Sequence, residues 1–190
     1  MLPNLLIAAI LSATWQTDTI DAINVVRAEA DNTELALYGV LLDGPRKPLI
    51  LHDGISTSAQ WWCDALKGTD LGASHGWYVN RNGFLIQSPA NPVVISRVWL
   101  PQTNGWTQRT DRYRYLGIPA LAGSENAAVA PNVNPDWLLF YWTRSGWSDD
   151  PRFATEHYAN LIDPRWTHAG LGRGAYGGGK KIAVIDFAEF

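Results

Sequence analysis

The chain has 190 residues, 15 basic against 18 acidic, a formal charge of −3 and a pI near 5.7. That balance argues against nucleic acid as a partner and against a polybasic membrane-binding face, only the stretch from Arg97 to Arg114 being locally cationic. The length suits one domain that folds without staples; 46% hydrophobic residues exclude a disordered chain, and a single cysteine, Cys63, excludes both an internal disulfide and a cysteine-based zinc cluster.

Taken in chain order, Leu5 to Ala13 is an apolar run about half as long as the roughly 20 residues that span a bilayer, so no transmembrane helix is expected. No Lys or Arg precedes it, and residues 1–17 are read as an apolar segment packed on the domain rather than a cleaved leader. Asp18 or Thr19 caps a helix in which Ile20, Ile23, Val26 and Ala30 recur at helical spacing. Asp31 to Pro48 is a loop before the short apolar stretch Leu49 to Leu51. Ser56 or Thr57 then caps a second helix, with Ala59, Trp62, Cys63 and Leu66 on its apolar face and an end by Gly68.

Residues 79–123 alternate short apolar runs with prolines and glycines and are expected to form an irregular insert of extended segments. Asn134, Pro135 and Asp136 form a helix start, and Gly146 a stop. Asp150 and Pro151 repeat that start for a helix on which His157 shares the inward face of Leu161. Thr167 to Ala175 and Lys181 to Phe187 read as a hairpin joined through Gly177, Gly178 and Gly179.

Several motifs have a plainer reading than their chemistry suggests. Gly172, Gly174 and Gly177 spell GxGxxG, but neither the helix nor the downstream acid of a dinucleotide site follows, so they belong to the hairpin. Cys63 has no cationic neighbour in sequence and reads as a buried structural thiol rather than a nucleophile. Trp61, Trp62, Trp137 and Trp142 are expected in the core. Trp77, Trp99, Trp106 and Trp147 are placed in loops, where aromatics anchor the loop or line a groove. Four histidines occur, none in an HExxH, and their spacing alone gives no reason to pair them.

The order of six blocks supplies one: IDAINVVRAEA (20–30), STSAQWWCDAL with SHGW (56–77), SENAAVA (124–130), FYWTRSGW (140–147), EHYANLIDPRWTHAGLGRG (156–174) and IAVIDFA (182–188). Together they resemble the CAP superfamily of cysteine-rich secretory, antigen 5 and pathogenesis-related proteins, in its disulfide-poor bacterial form, over about residues 18–190. The resemblance implies an α+β fold, a three-layer α/β/α sandwich with a small antiparallel sheet and a central cleft.

In that family two histidines and one or two acids converge on the cleft and can hold a divalent metal, commonly zinc. Carried across, they fall on His75, His157 and Glu125. A His2Glu set leaves a coordination position open, and Glu125 would be the general base of any hydrolytic step. The family's second acid lies in a WYxE block, matched here by Trp142, Thr143, Arg144 and Ser145, so serine stands in its place. Trp77, Ser145 and Tyr158 are the candidate ligand-lining residues.

Three functions follow as expectations. The first is an extracellular or cell-surface binding module with a metal-capable cleft, taking a small ligand, lipid or peptide. The second is a zinc-dependent hydrolase of peptide or cell-wall substrates. The third is a protein-interaction component of a surface or virion assembly.

Overall fold

The structure, a computed structural model, describes residues 3–30, 46–69, 71–101, 104–144 and 151–190. Helix α1 (Pro3–Glu29) is followed by the short strand β1 (Ile50–Leu51), helix α2 (Asp53–Leu66) and strands β2 (Gly76–Val79), β3 (Phe84–Ile86), β4 (Val94–Trp99) and β5 (Gly105–Gln108). Then come α3 (Arg109–Tyr115), β6 (Ala122–Ala130), α4 (Pro135–Arg144), α5 (Pro151–Ile162), β7 (His168–Ala175) and β8 (Lys181–Glu189).

The central sheet has the order β1-β7-β8-β6, antiparallel except for the β1/β7 edge. Strand β8 lies inside it and is buried on both faces, and for that reason its sequence is a nearly unbroken apolar run rather than an alternation. Ala183, Ile185 and Phe187 face one helical layer, packing with Ile20 and Ile23 of α1, Leu138 and Trp142 of α4 and Leu161 of α5. Ile182 and Val184 face the other way, against Ala59, Trp62, Cys63 and Leu66 of α2. Each such large aliphatic or aromatic side chain, once fully buried, contributes about 2 to 3 kcal/mol of transfer free energy. The expected α/β/α sandwich is present, with a second sheet added beside α2.

Helix α2 rests directly on β7 because glycine lets it. A Cβ on Gly172 would sit 2.5 Å from the backbone of Ala59 and Gln60, and one on Gly170 would be closer still to Ser56. Gly172 of the apparent nucleotide motif therefore serves strand–helix contact. Tyr176 through Lys180 turn the chain from β7 into β8 as expected, with Gly178 and Gly179 at φ of 66° and 73°.

Three local readings change. The N-terminal apolar segment and the first helix are one continuous helix, with no break at Asp18. Helix α2 begins a turn earlier than Ser56, capped by His52, whose Nδ1 accepts from the Ile55 N–H at 3.3 Å. Residues 79–123 are not irregular: with β2, the strands β3, β4 and β5 build a four-stranded antiparallel sheet of order β4-β3-β2-β5 that places Trp77, Trp99 and Trp106 on strands, and α3 follows. The expected loop over 31–48 lies largely outside the described residues, as do Ser145, Trp147, Asp149 and Asp150. Asn134 caps α4 as read, its side chain accepting from the Trp137 N–H at 2.8 Å.

Candidate functional site

Sheet register brings the acids together. Glu125 on β6 pairs with Asp186 on β8, and both are buried. Ser58 on α2 donates to Asp186 Oδ2 at 2.8 Å. From α3, Arg112 reaches into the same pocket of polar atoms: Nη2 donates to Glu125 Oε2 at 2.7 Å and lies 3.3 Å from Asp186 Oδ2, and Nε donates to Ser58 Oγ at 3.0 Å. The guanidinium sits over the Trp62 ring, 5.1 Å from its centroid. One planar cation thus spans two carboxyls and a hydroxyl, a geometry lysine does not offer.

His75, just ahead of β2, completes the network at its solvent edge. Its Nδ1 lies 2.8 Å from Glu125 Oε1, with the His75 side chain 49% exposed and that of Glu125 fully buried. Burial works to raise the Glu125 pKa, but the bond from His75 and the charge of Arg112 outweigh it and hold the carboxyl below its ordinary value. An ionised carboxylate only accepts, so Nδ1 carries the shared proton and Nε2 is the nitrogen that gains or loses one as the ring titrates. The bond to Glu125 raises the His75 pKa despite partial burial, and the nearby Arg109 works against that rise.

His157 comes from α5. Asn126, next to Glu125, donates from Nδ2 to the His157 carbonyl at 2.9 Å, and Asn160 donates to Asn126 Oδ1 at 2.8 Å, tying α5 to β6. Burial first, then the charge of His75, push the His157 pKa down to about 4, so the ring is neutral at pH 7. Its Nδ1 is buried without a hydrogen-bond partner among the described residues. Tyr141, 5.8 Å away between ring centroids, stacks in turn on Trp137.

The structure thus brings His75 and Glu125 into contact and His157 within electrostatic reach of His75. Both Glu125 oxygens are engaged, one by His75 and one by Arg112. Among the described residues no group of three His, Cys, Asp or Glu side chains is placed to hold a metal, whereas zinc in proteins takes at least three such donors. Trp77 is half-buried, its Nε1 donating to the Ile86 carbonyl at 2.8 Å, and Tyr158 packs at the edge of the α1/α4/α5 core. His52 and His168 lie elsewhere, around Phe190. Cys63 is buried, and burial followed by the charges of Glu125 and Asp186 raises its pKa well above that of a free thiol, so it is no nucleophile at neutral pH.

Sequence reading missed Arg112, Asp186 and Ser58. Asp186 carried a signal, as an acid inside the apolar run of β8 with no turn residue beside it; Arg112 carried none, since α3 has no apolar period.

Comparison with solved structures agrees with the fold. An outer surface protein of Borrelia burgdorferi superposes with a TM-score of 0.52 at 14% identity, covering 90% of this chain and 88% of that one. An extracellular protein containing an SCP domain, from Bacillus anthracis, gives 0.52 at 16% identity over 94% of this chain and 41% of its own, so this chain spans less than half its length. Venom allergen-like protein 4 of Schistosoma mansoni is a weaker likeness, 0.48 at 12% identity over 92% and 87% of the two chains. At these identities the shared property is the fold alone, common to this chain, the outer surface protein and the protein containing an SCP domain. No family model and no curated protein matches the sequence. Among the described residues no helix is long and apolar enough to cross a membrane.

Proposed function

We propose that this protein is a binding module of CAP type acting outside the cytoplasm, taking a small ligand, lipid or peptide in the cleft between His75 and His157. The observation that carries this reading is the engagement of Glu125. With its oxygens held by His75 and Arg112, the carboxylate orients an imidazole instead of standing free to take a proton from water, and serine replaces the family's second acid. The groups gathered there are a neutral imidazole at His157, the half-exposed His75 ring and the Tyr141 ring on its Trp137 stack, a set suited to apolar bodies with a few hydrogen-bonding groups. Placement outside the cytoplasm rests on the likeness to an outer surface protein and an extracellular protein.

Zinc calorimetry on chelator-stripped protein, with His75→Ala and His157→Ala, tests the proposal. Binding of lipid or peptide probes that both substitutions weaken, with no zinc-dependent turnover, supports it. Stoichiometric zinc uptake lost in both variants, together with chelator-sensitive hydrolysis, replaces it with the zinc hydrolase.

A further inference from the structure

A second site lies at the other end of the central sheet. Five residues along β8 from Asp186, roughly 16 Å away at strand rise, Lys181 stands opposite Ala175, and Arg173 lies diagonally across on the same face. That face is apolar elsewhere, carrying Leu171, Ala183 and Ile185 into the helical layer. At this end it opens into a cavity of about 420 Å³ lined by Asn132, Asn134, Arg173 and Lys181 together with Val133, Gly174 and Ala175. The volume falls within the usual range for small-molecule sites.

Of the two cations Arg173 is set in place, while Lys181 is exposed. The Arg173 guanidinium lies 4.6 Å from the centroid of the Trp15 ring, and Trp15 is itself buried and fixed by its Nε1 donating to the Val133 carbonyl at 3.1 Å. Gln60 brackets the Arg173 backbone, accepting from its N–H at 3.1 Å and donating to its carbonyl at 3.1 Å. Partial burial lowers the Arg173 pKa, and no carboxylate works the other way. Among the described residues neither Arg173 nor Lys181 has an ion pair.

We propose that this cavity is a binding site for a small phosphate-bearing molecule, with Arg173 and Lys181 holding the phosphate and the Asn132 and Asn134 side chains facing its body. A flat guanidinium pinned by an indole presents two parallel N–H bonds to a tetrahedral anion, and a lysine beside it adds a mobile point charge. The protein's net negative charge restricts such a site to a compact anion and disfavours a polyanion.

The test is titration of the full chain with inorganic phosphate and glycerol 3-phosphate, followed by NMR, and flotation with vesicles of phosphatidylcholine doped with phosphatidic acid. Arg173→Gln and Lys181→Gln should each weaken phosphate binding at least tenfold, while His75→Ala leaves it unchanged. Lys181 is exposed, so its variant tests the site without disturbing the core. Binding of the soluble phosphates alone assigns a soluble ester as ligand, and binding of the vesicles as well assigns a lipid headgroup. Absence of all phosphate binding, or binding that both substitutions leave intact, overturns the proposal.

Discussion

Glu125 and Asp186 stand directly opposite each other on adjacent antiparallel strands, two buried carboxyls in one cross-strand pair. Like charges so placed are destabilising, and the arrangement holds because Arg112 lies between them and because Asp186 gives up its charge readily. Burial pushes the Asp186 pKa up to about 7; Arg112 opposes that rise and the charge of Glu125 adds to it. Glu125 stays ionised and faces His75.

Removing the cation should therefore cost far more than a surface charge. Arg112→Met leaves Glu125 buried beside Asp186 with only the half-exposed His75 as partner and is expected to destabilise the fold by about 3 to 5 kcal/mol, seen as a lower urea midpoint. Adding Asp186→Asn to that variant should recover part of the loss. A loss under about 1 kcal/mol would mean the three groups are not coupled.

Glu125 sets the state of His75. Because the bond to Glu125 raises the His75 pKa, Glu125→Gln should move it down, as followed by the ring proton shifts in an NMR titration. In the wild type this pair stabilises the fold below the ordinary histidine range, and that contribution fades as pH rises through the raised pKa. An unchanged His75 titration in Glu125→Gln would remove the orienting role.

His157 gives the opposite slope. Its folded pKa of about 4 lies below the ordinary histidine value of 6.5, so the unfolded chain binds the extra proton and stability falls as pH drops from about 6.5 towards 4. The span corresponds to at most about 3 kcal/mol. His157→Phe should flatten that part of the stability profile in thermal melts, and an unaltered profile would place the ring in water.

Glycine at the α2 contact is a steric requirement. Gly172→Ala places a Cβ 2.5 Å from the α2 backbone and is expected to cost 1 to 3 kcal/mol or more, roughly the range for overpacking. Gly174→Ala meets nothing closer than the Cys63 Cβ at 3.6 Å and should be nearly neutral. Comparable melting temperatures for the two variants would contradict this packing.

The sequence showed most where a local rule acts alone. Asn134-Pro135-Asp136 marked α4, the glycines marked the β7–β8 turn, and the apolar run of β8 marked a strand. It showed least where position depends on distant chain. Arg112 has meaning only once α3 is folded across α2 and β6, and His52 becomes a cap only because β1 leads straight into α2. That Glu125 and His75 meet, with His157 near, was expected from the family resemblance alone, but the engagement of Glu125 by Arg112 was not, since it joins residues from two segments that no local pattern links.

The position of β8 also governs when the molecule can form. Residues 181–189 supply the strand that β6 and β7 both pair with and the side chains that both helical layers pack upon. Until they have left the ribosome, β6 has no strand to pair with and both helical layers lack the side chains of β8 between them, leaving β7 alone to join them. Non-local pairing of this kind slows folding. A chain ending at Lys180 should stay protease-sensitive throughout, and one extended through Glu189 should become resistant in a single step.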